Sequence, residues 1–202
     1  MKMLRLTLAP VLVALAGPAF AEELSLNRIS DYLNSFRSLA GNFTQVNDDG
    51  SISTGRIFIK RPGKARFEYA PPNQALVMAG QKSVAIFDPK GNTGPEVYPL
   101  NQTPLSVILR ENVDLVGSDM VVGHTSDGTT TTVTAMDPEN AEYGNIQLVF
   151  TDNPVQLRQW IINDQAGSAT TVVLGEMSFD TNLRFRLFDI NAEVESRQGS
   201  KF

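Results

Sequence analysis

The stretch Gly55–Pro72, GRIFIKRPGKARFEYAPP, leaves this chain few folds to choose from. Two amphipathic strands, Gly55–Lys60 and Lys64–Tyr69, meet at Arg61-Pro62-Gly63. Proline fixes φ and glycine relaxes the backbone, so this junction is a tight turn. In the second strand Lys64, Arg66 and Glu68 alternate with Ala65, Phe67 and Tyr69. That is a period of two, with one wet face and one aromatic face. Behind an export signal, such strands point to an exported β-protein that holds something greasy.

The export signal is residues 1–21. Lys2 and Arg5 supply its charged start, Leu6 to Ala16 its apolar run and Ala19-Phe20-Ala21 a small-x-small cleavage site. The run is well short of the ~20 residues a spanning helix needs. The cleavage site has no cysteine for lipid attachment, so the mature chain is expected to be soluble in the periplasm. Residues 22–202 then form a single domain, 181 residues from Glu22, long enough for a core. Without Lys2 and Arg5 that domain keeps 15 Lys and Arg against 22 Asp and Glu, a net charge of −7. Net acid repels nucleic acid and anionic lipid headgroups, and suits a diffusing monomer. The chain has no cysteine, hence no disulfide, thiol nucleophile or thiolate metal site.

Leu24 to Leu39 is the one long helical pattern: Leu26, Ile29, Leu33 and Phe36 share a face, and Ser25 is an N-cap candidate. The rest reads as strands and turns. Asn42–Asn47 precedes the turn at Asp48-Asp49-Gly50, and Ile52–Lys60 follows it. Ala75–Ala79, Ser83–Asp88 and Glu96–Leu100 come next. A short helix is expected from Pro104 through Leu105 to Arg110, capped by Thr103. Asp119–Thr125, Thr129–Met136, Gly144–Thr151, Val155–Asn163 and Ala169–Gly175 complete about ten strands. The tail is mixed, with an apolar knot at Phe185, Leu187, Phe188 and Ile190. Short turns between consecutive strands require antiparallel pairing, and one sheet of this size curls. The two helices would cover its concave side.

Catalytic patterns are absent. His124 is the one histidine and flanks the turn at Ser126-Asp127-Gly128, a position typical of plain surface. There is no G-x-S-x-G elbow, no P-loop and no dinucleotide fingerprint. Asn47-Asp48-Asp49-Gly50 lacks the spacing and distal glutamate of an EF-hand loop. A lone histidine without cysteine does not make a zinc site. No metal or cofactor is therefore expected, and no enzyme. What remains is a set of side chains on alternating positions. Phe43, Phe58, Phe67, Tyr69, Phe87, Leu148, Phe150 and Trp160 on strands, with Leu105 and Ile108 on the short helix, are the candidates for an apolar cavity. The competing reading of the same residues is an ordinary core.

Taken in order, several segments resemble the outer-membrane lipoprotein carrier (LolA) family. They are Gly41-Asn42-Phe43-Thr44-Gln45, then Gly55-Arg56-Ile57-Phe58-Ile59-Lys60-Arg61-Pro62, Phe67-Glu68-Tyr69 with Pro71-Pro72, and Gly80-Gln81 with Phe87-Asp88. Thr103-Pro104-Leu105 and Asp164-Gln165-Ala166-Gly167 follow. The resemblance spans most of residues 24–190. It implies an incomplete antiparallel β-barrel, or curved sheet, closed by an N-terminal helix and a short central helix acting as lid. It implies a periplasmic chaperone that holds the acyl chains of lipoproteins and carries them from the inner to the outer membrane. The partners implied are lipoproteins, an ATP-driven inner-membrane extraction complex and an outer-membrane receptor. Arg61 matches the family's lid-holding arginine. Ala65 stands where some members carry a bulky aromatic, and Asp114–Thr134 matches no part of the pattern. The alternatives are a periplasmic binding protein for other lipids in the same fold, or an envelope enzyme acting on lipid or glycan.

Overall fold

Period-two patterning resolves into one antiparallel sheet. The computed structural model describes residues 23–91 and 94–199; the expected signal peptide and its cleavage point after Ala21 lie outside the described residues. Helix α1 (Leu26–Asn34) precedes β1 (Ser38–Val46), β2 (Ile52–Lys60), β3 (Lys64–Tyr69), β4 (Leu76–Gly80), β5 (Ser83–Phe87) and β6 (Glu96–Pro99). Two 3-10 turns, Leu100–Gln102 and Pro104–Ser106, lead into a long loop. Strands β7 (Val121–Ser126), β8 (Thr130–Ala135), β9 (Asn145–Thr151), β10 (Gln156–Asn163) and β11 (Ala169–Phe179) follow, and α2 (Ile190–Gly199) ends the described chain. The spatial order is β6-β5-β4-β3-β2-β1-β11-β10-β9-β8-β7, so each strand pairs with its sequence neighbour except where β1 meets β11. Strands β6 and β7 stand at opposite ends and do not pair, which leaves the curved sheet unclosed.

Register carries the apolar residues across the sheet in rows. On the inner face Leu39, Ile59, Ala65, Ala79 and Val84 are consecutive cross-strand partners. In the other half, Val133, Leu148, Trp160 and Val172 form the equivalent row. These side chains belong to the main core, which Ile29 and Leu33 of α1 complete. On the outer face Ala40, Phe58, Arg66, Met78 and Ala85 align. A smaller cluster of Leu76, Met78, Ala85 and Phe87 lies there beneath Ile190 and Val194 of α2. Gly55 is paired with Phe43 and Tyr69, and a Cβ on it would come within 2.7 Å of the Phe43 ring. Glycine at this place leaves the room that the ring occupies.

Four expectations shift. The helix stops at Asn34, and β1 begins at Ser38, where Ser38 to Gly41 pair with Ile57 to Lys60 of β2. Cross-strand pairing outweighs a helical spacing that Phe36 and Leu39 happen to continue. Strand β11 runs to Phe179 because β1 offers partners that far, Leu39 opposite Phe179. The central helix expected from Pro104 to Arg110 is reduced to the 3-10 turn Pro104–Ser106, and Thr103 donates to the Leu100 carbonyl instead of capping. The mixed tail contains α2, a helix with no clear apolar stripe of its own.

Candidate functional site

A pocket of about 170 Å³ opens on the inner face. Phe67 and Tyr69 of β3, Val77 of β4, Val84 of β5, Trp160 and Ile162 of β10 and Val172 of β11 wall it, and Thr103, Pro104 and Leu105 close one side. The aromatic walls interlock edge to face: Phe43 against Phe67 at 5.7 Å and Tyr69 at 5.1 Å, Phe67 against Trp160 at 6.3 Å. Such geometry adds directional attraction to the area buried and fixes the ring positions. The Tyr69 hydroxyl donates to Gln45 Oε1 at 2.6 Å. Burial pushes the Tyr69 hydroxyl up to about 12, against a smaller opposing effect of that hydrogen bond. Trp160 is 1% exposed, and its indole N–H has no protein acceptor. The pocket lining is almost wholly apolar, a surface suited chemically to a chain of methylenes.

The cover is built from two segments tied to each other. Asn34 at the end of α1 accepts from the Val113 N–H at 3.0 Å and donates to the Val113 carbonyl at 2.8 Å. Ser30 accepts from the Leu115 N–H, and Arg37 donates to the Glu111 carbonyl. The loop after the 3-10 turns and α1 thus form one unit. Below it Val113, Leu115 and Met120 are buried in the main core, which gives the unmatched stretch from Asp114 a packing role at its start.

The β2–β3 turn holds both segments. Arg61 is 6% exposed, and its Nη2 donates to the carbonyls of Leu33 and Phe36, the latter at 2.6 Å. Carbonyls at a helix C-terminus lack intrahelical donors and carry the negative end of the macrodipole, so a cation there is well placed. The guanidinium also lies 5.2 Å from the centre of the Phe36 ring. Its Nε and Nη1 have no protein partner. Burial, and then the nearby Arg37 charge, draws the Arg61 pKa down. The backbone completes the clasp: Arg61 N–H donates to the Arg37 carbonyl and Gly63 N–H to the Leu109 carbonyl.

Of the residues singled out from sequence, Phe67, Tyr69, Leu105 and Trp160 line the pocket, and Phe43 backs it. Leu148, Phe150 and Ile108 are in the main core, Phe150 with its ring 5.9 Å from that of Tyr32 on α1. Phe58 and Phe87 are on the outer face, Phe58 under Arg56 and Phe87 beneath α2. Alternation groups residues by face, and the face beneath α2 is not the one with the pocket. Sequence reasoning missed Gln45, Val84, Ile162 and Val172, which share the alternation of their strands but are not aromatic. It also missed Ser30 and Asn34, whose bonds to the loop no local pattern encodes. His124 is half-buried: Nε2 lies 2.9 Å from the Leu24 carbonyl and Nδ1 3.1 Å from the Glu23 carboxylate, beside a Thr131 hydroxyl that accepts from Leu24 N–H. Instead of plain surface it fastens the segment that leads into α1.

Among the described residues no helix is long and apolar enough to cross a membrane, and no group of three or more His, Asp or Glu could hold a metal ion. The family model described as outer membrane lipoprotein carrier protein LolA matches residues 34–191. An outer-membrane lipoprotein carrier protein of Azotobacter vinelandii is 24% identical, over 94% of each chain. One of Coxiella burnetii is 23% identical over 88% of each. A crystal structure of a DUF1329 family protein from Desulfovibrio piger superposes with a TM-score of 0.50 at 10% identity, over 83% of this chain and 95% of that one, a likeness of fold alone.

Proposed function

The chain belongs to the LolA family of outer-membrane lipoprotein carriers, and we propose that it takes up the acyl chains of lipoproteins in the periplasm, shields them and gives them up at the outer membrane. The observation that carries this reading is the aromatic-walled pocket on the inner face, the face on which α1, clasped by Arg61, also packs. The need for such a carrier follows from magnitude. Each methylene is worth ~0.8 kcal/mol, so roughly 40–45 of them on a triacylated lipoprotein would cost on the order of 30–35 kcal/mol to expose to water. Non-covalent affinities stop well short of that sum, so the carrier must also yield its cargo.

The pocket volume supports a loading step that moves the cover. About 170 Å³ is close to the ~150 Å³ of a cavity that admits benzene, far less than three acyl chains require. Loading therefore lifts the cover. Acyl chains replace Ile29 and Leu33 against the sheet, while the bonds from Arg61 to the α1 carbonyls break. When the cargo leaves, those bonds re-form and the pocket shrinks, which favours release. Extraction from the inner membrane by an ATP-driven complex and transfer to an outer-membrane receptor are the steps such a carrier would join. The runner-up, a binding protein for other lipids, is separated from this reading by mass spectrometry of what co-purifies from the periplasm.

Arg61→Leu tests the clasp. Charge-assisted bonds contribute ~1.5–3 kcal/mol each. The variant should fold and take up lipopeptide, yet pass it to acceptor membranes more slowly, because the closed empty state no longer rewards release. Lys60→Leu should transfer at nearly the wild-type rate. Equal transfer by Arg61→Leu and wild type would reduce Arg61 to a packing residue.

A further inference from the structure

The apolar knot of the tail divides in two. Phe188 and Ile190 are buried, but Phe185 is 68% exposed. Its ring is held outward. Lys60 Nζ lies 4.2 Å from its centre and Lys64 Nζ 5.4 Å. Both ammonium groups are fixed by backbone carbonyls, Lys60 on Leu183 at 2.6 Å and Lys64 on Pro62 at 3.2 Å. Arg184 and Arg186, both exposed, flank the ring in sequence. A depression of about 580 Å³ adjoins it, lined by Lys64, Arg186 and Phe188, with Asp189 and Glu195 on its helix side. Asp189 accepts from Ala192 N–H and from Gln81, and the neighbouring Glu193 is paired with Arg66 and Arg197. These two carboxylates are thus engaged in seating α2.

We propose that Arg184, Phe185 and Arg186, with Lys60 and Lys64, form a docking point for an anionic phospholipid surface. A single aromatic ring among four cations suits the interface of a bilayer, where the ring enters the headgroup boundary and the cations meet phosphates. A stable protein complex calls for roughly 800 Å² on each side, far more than one ring and its neighbours supply. The net charge of the chain opposes approach to such a surface at long range. Contact is therefore weak, reversible and selective for this orientation. Lys60 precedes Arg61, so a molecule bound this way presents the clasped end of its sheet to the bilayer. The inference goes beyond the carrier reading and does not depend on it.

The test is sedimentation of the secreted protein with vesicles of phosphatidylcholine alone, or made about one-third phosphatidylglycerol. Binding is expected only to the anionic vesicles, and should vanish near 1 M salt, where the screening length falls to ~3 Å. At about fivefold per cation, Arg184→Gln with Arg186→Gln should weaken it some 25-fold. Phe185→Ser should weaken it several-fold, and Arg158→Gln, an exposed cation on β10 in the other half of the sheet, hardly at all. Uptake of lipopeptide in solution by the double variant should be unchanged, which keeps this test apart from that of the carrier function. The proposal is overturned by absence of vesicle binding, whether or not an acidic protein partner binds the patch. It is equally overturned by binding that Arg158→Gln weakens as much as the double variant does, or by binding that the double variant retains.

Discussion

The two helices meet the sheet from opposite sides and by different chemistry. Helix α1 lies on the inner face, tied through main-chain carbonyls and amides to Arg61, Val113 and Leu115. Helix α2 lies on the outer face, seated by Ile190 and Val194 on Leu76, Met78, Ala85 and Phe87. Arg66 reinforces it by pairing with Glu193 at 3.1 Å, which also meets Arg197. Both helices bury apolar side chains. The difference is what can replace them. In the proposed cycle acyl chains cover the inner face when α1 lifts, whereas nothing covers the outer face if α2 leaves. One helix is suited to move and the other to stay.

The largest test of that contrast is truncation on each face. Phe87→Ala and Phe67→Ala should each lower the unfolding free energy by about 3–5 kcal/mol. Lipopeptide uptake per folded molecule should change only for Phe67→Ala; a change confined to Phe87→Ala would exchange the roles of the faces. Chemical denaturation and a displaceable hydrophobic dye read the two effects.

The next test uses alkali. Because the folded-state pKa of Tyr69 is raised to about 12, the neutral phenol stabilises the fold fully below the ordinary tyrosine value near 10, and that contribution is lost as pH climbs from there through 12. The loss is on the order of 2–3 kcal/mol. Tyr69→Phe should flatten the stability profile across this window, as measured by denaturation from pH 9 to 12. An equally steep decline in the variant would mean that the pocket wall is wet.

The smallest test concerns α2. Burial raises the Glu193 pKa, but the hydrogen bonds and charges of Arg197 and Arg66 together outweigh it and hold the carboxyl below its usual range. Its contribution is complete above the unfolded value near 4.3 and is lost as pH falls through the lower folded one. Glu193→Gln should remove part of the acid sensitivity, by less than about 1 kcal/mol, and leave cargo uptake untouched.

Much of this architecture was legible in the alternation of side chains. The hairpin around Arg61-Pro62-Gly63 appears with its strands at Ile52–Lys60 and Lys64–Tyr69, because pattern and turn chemistry agree there. Where they conflict, long-range pairing decides, as at Ser38 to Gly41. Phe58 and Phe67 show the limit for the site. Each is an aromatic on an alternating strand, yet one faces outward under Arg56 and the other walls the pocket, since both faces of the sheet carry apolar side chains. The bonds of Asn34 and Ser30 to the loop link residues 79 and 85 positions apart, a distance no local signal spans.

The unpaired ends of the sheet have a mechanical consequence. A closed barrel fixes its bore through strand number and shear, and a wider bore needs another strand or a broken ladder. Here β6 and β7 never meet. The sheet can unroll or tighten by small changes of twist spread over its ten ladders, with every inter-strand hydrogen bond kept. In the proposed carrier its capacity would therefore be elastic, set by whatever lies inside, so that cargoes of different girth would not require a rebuilt wall.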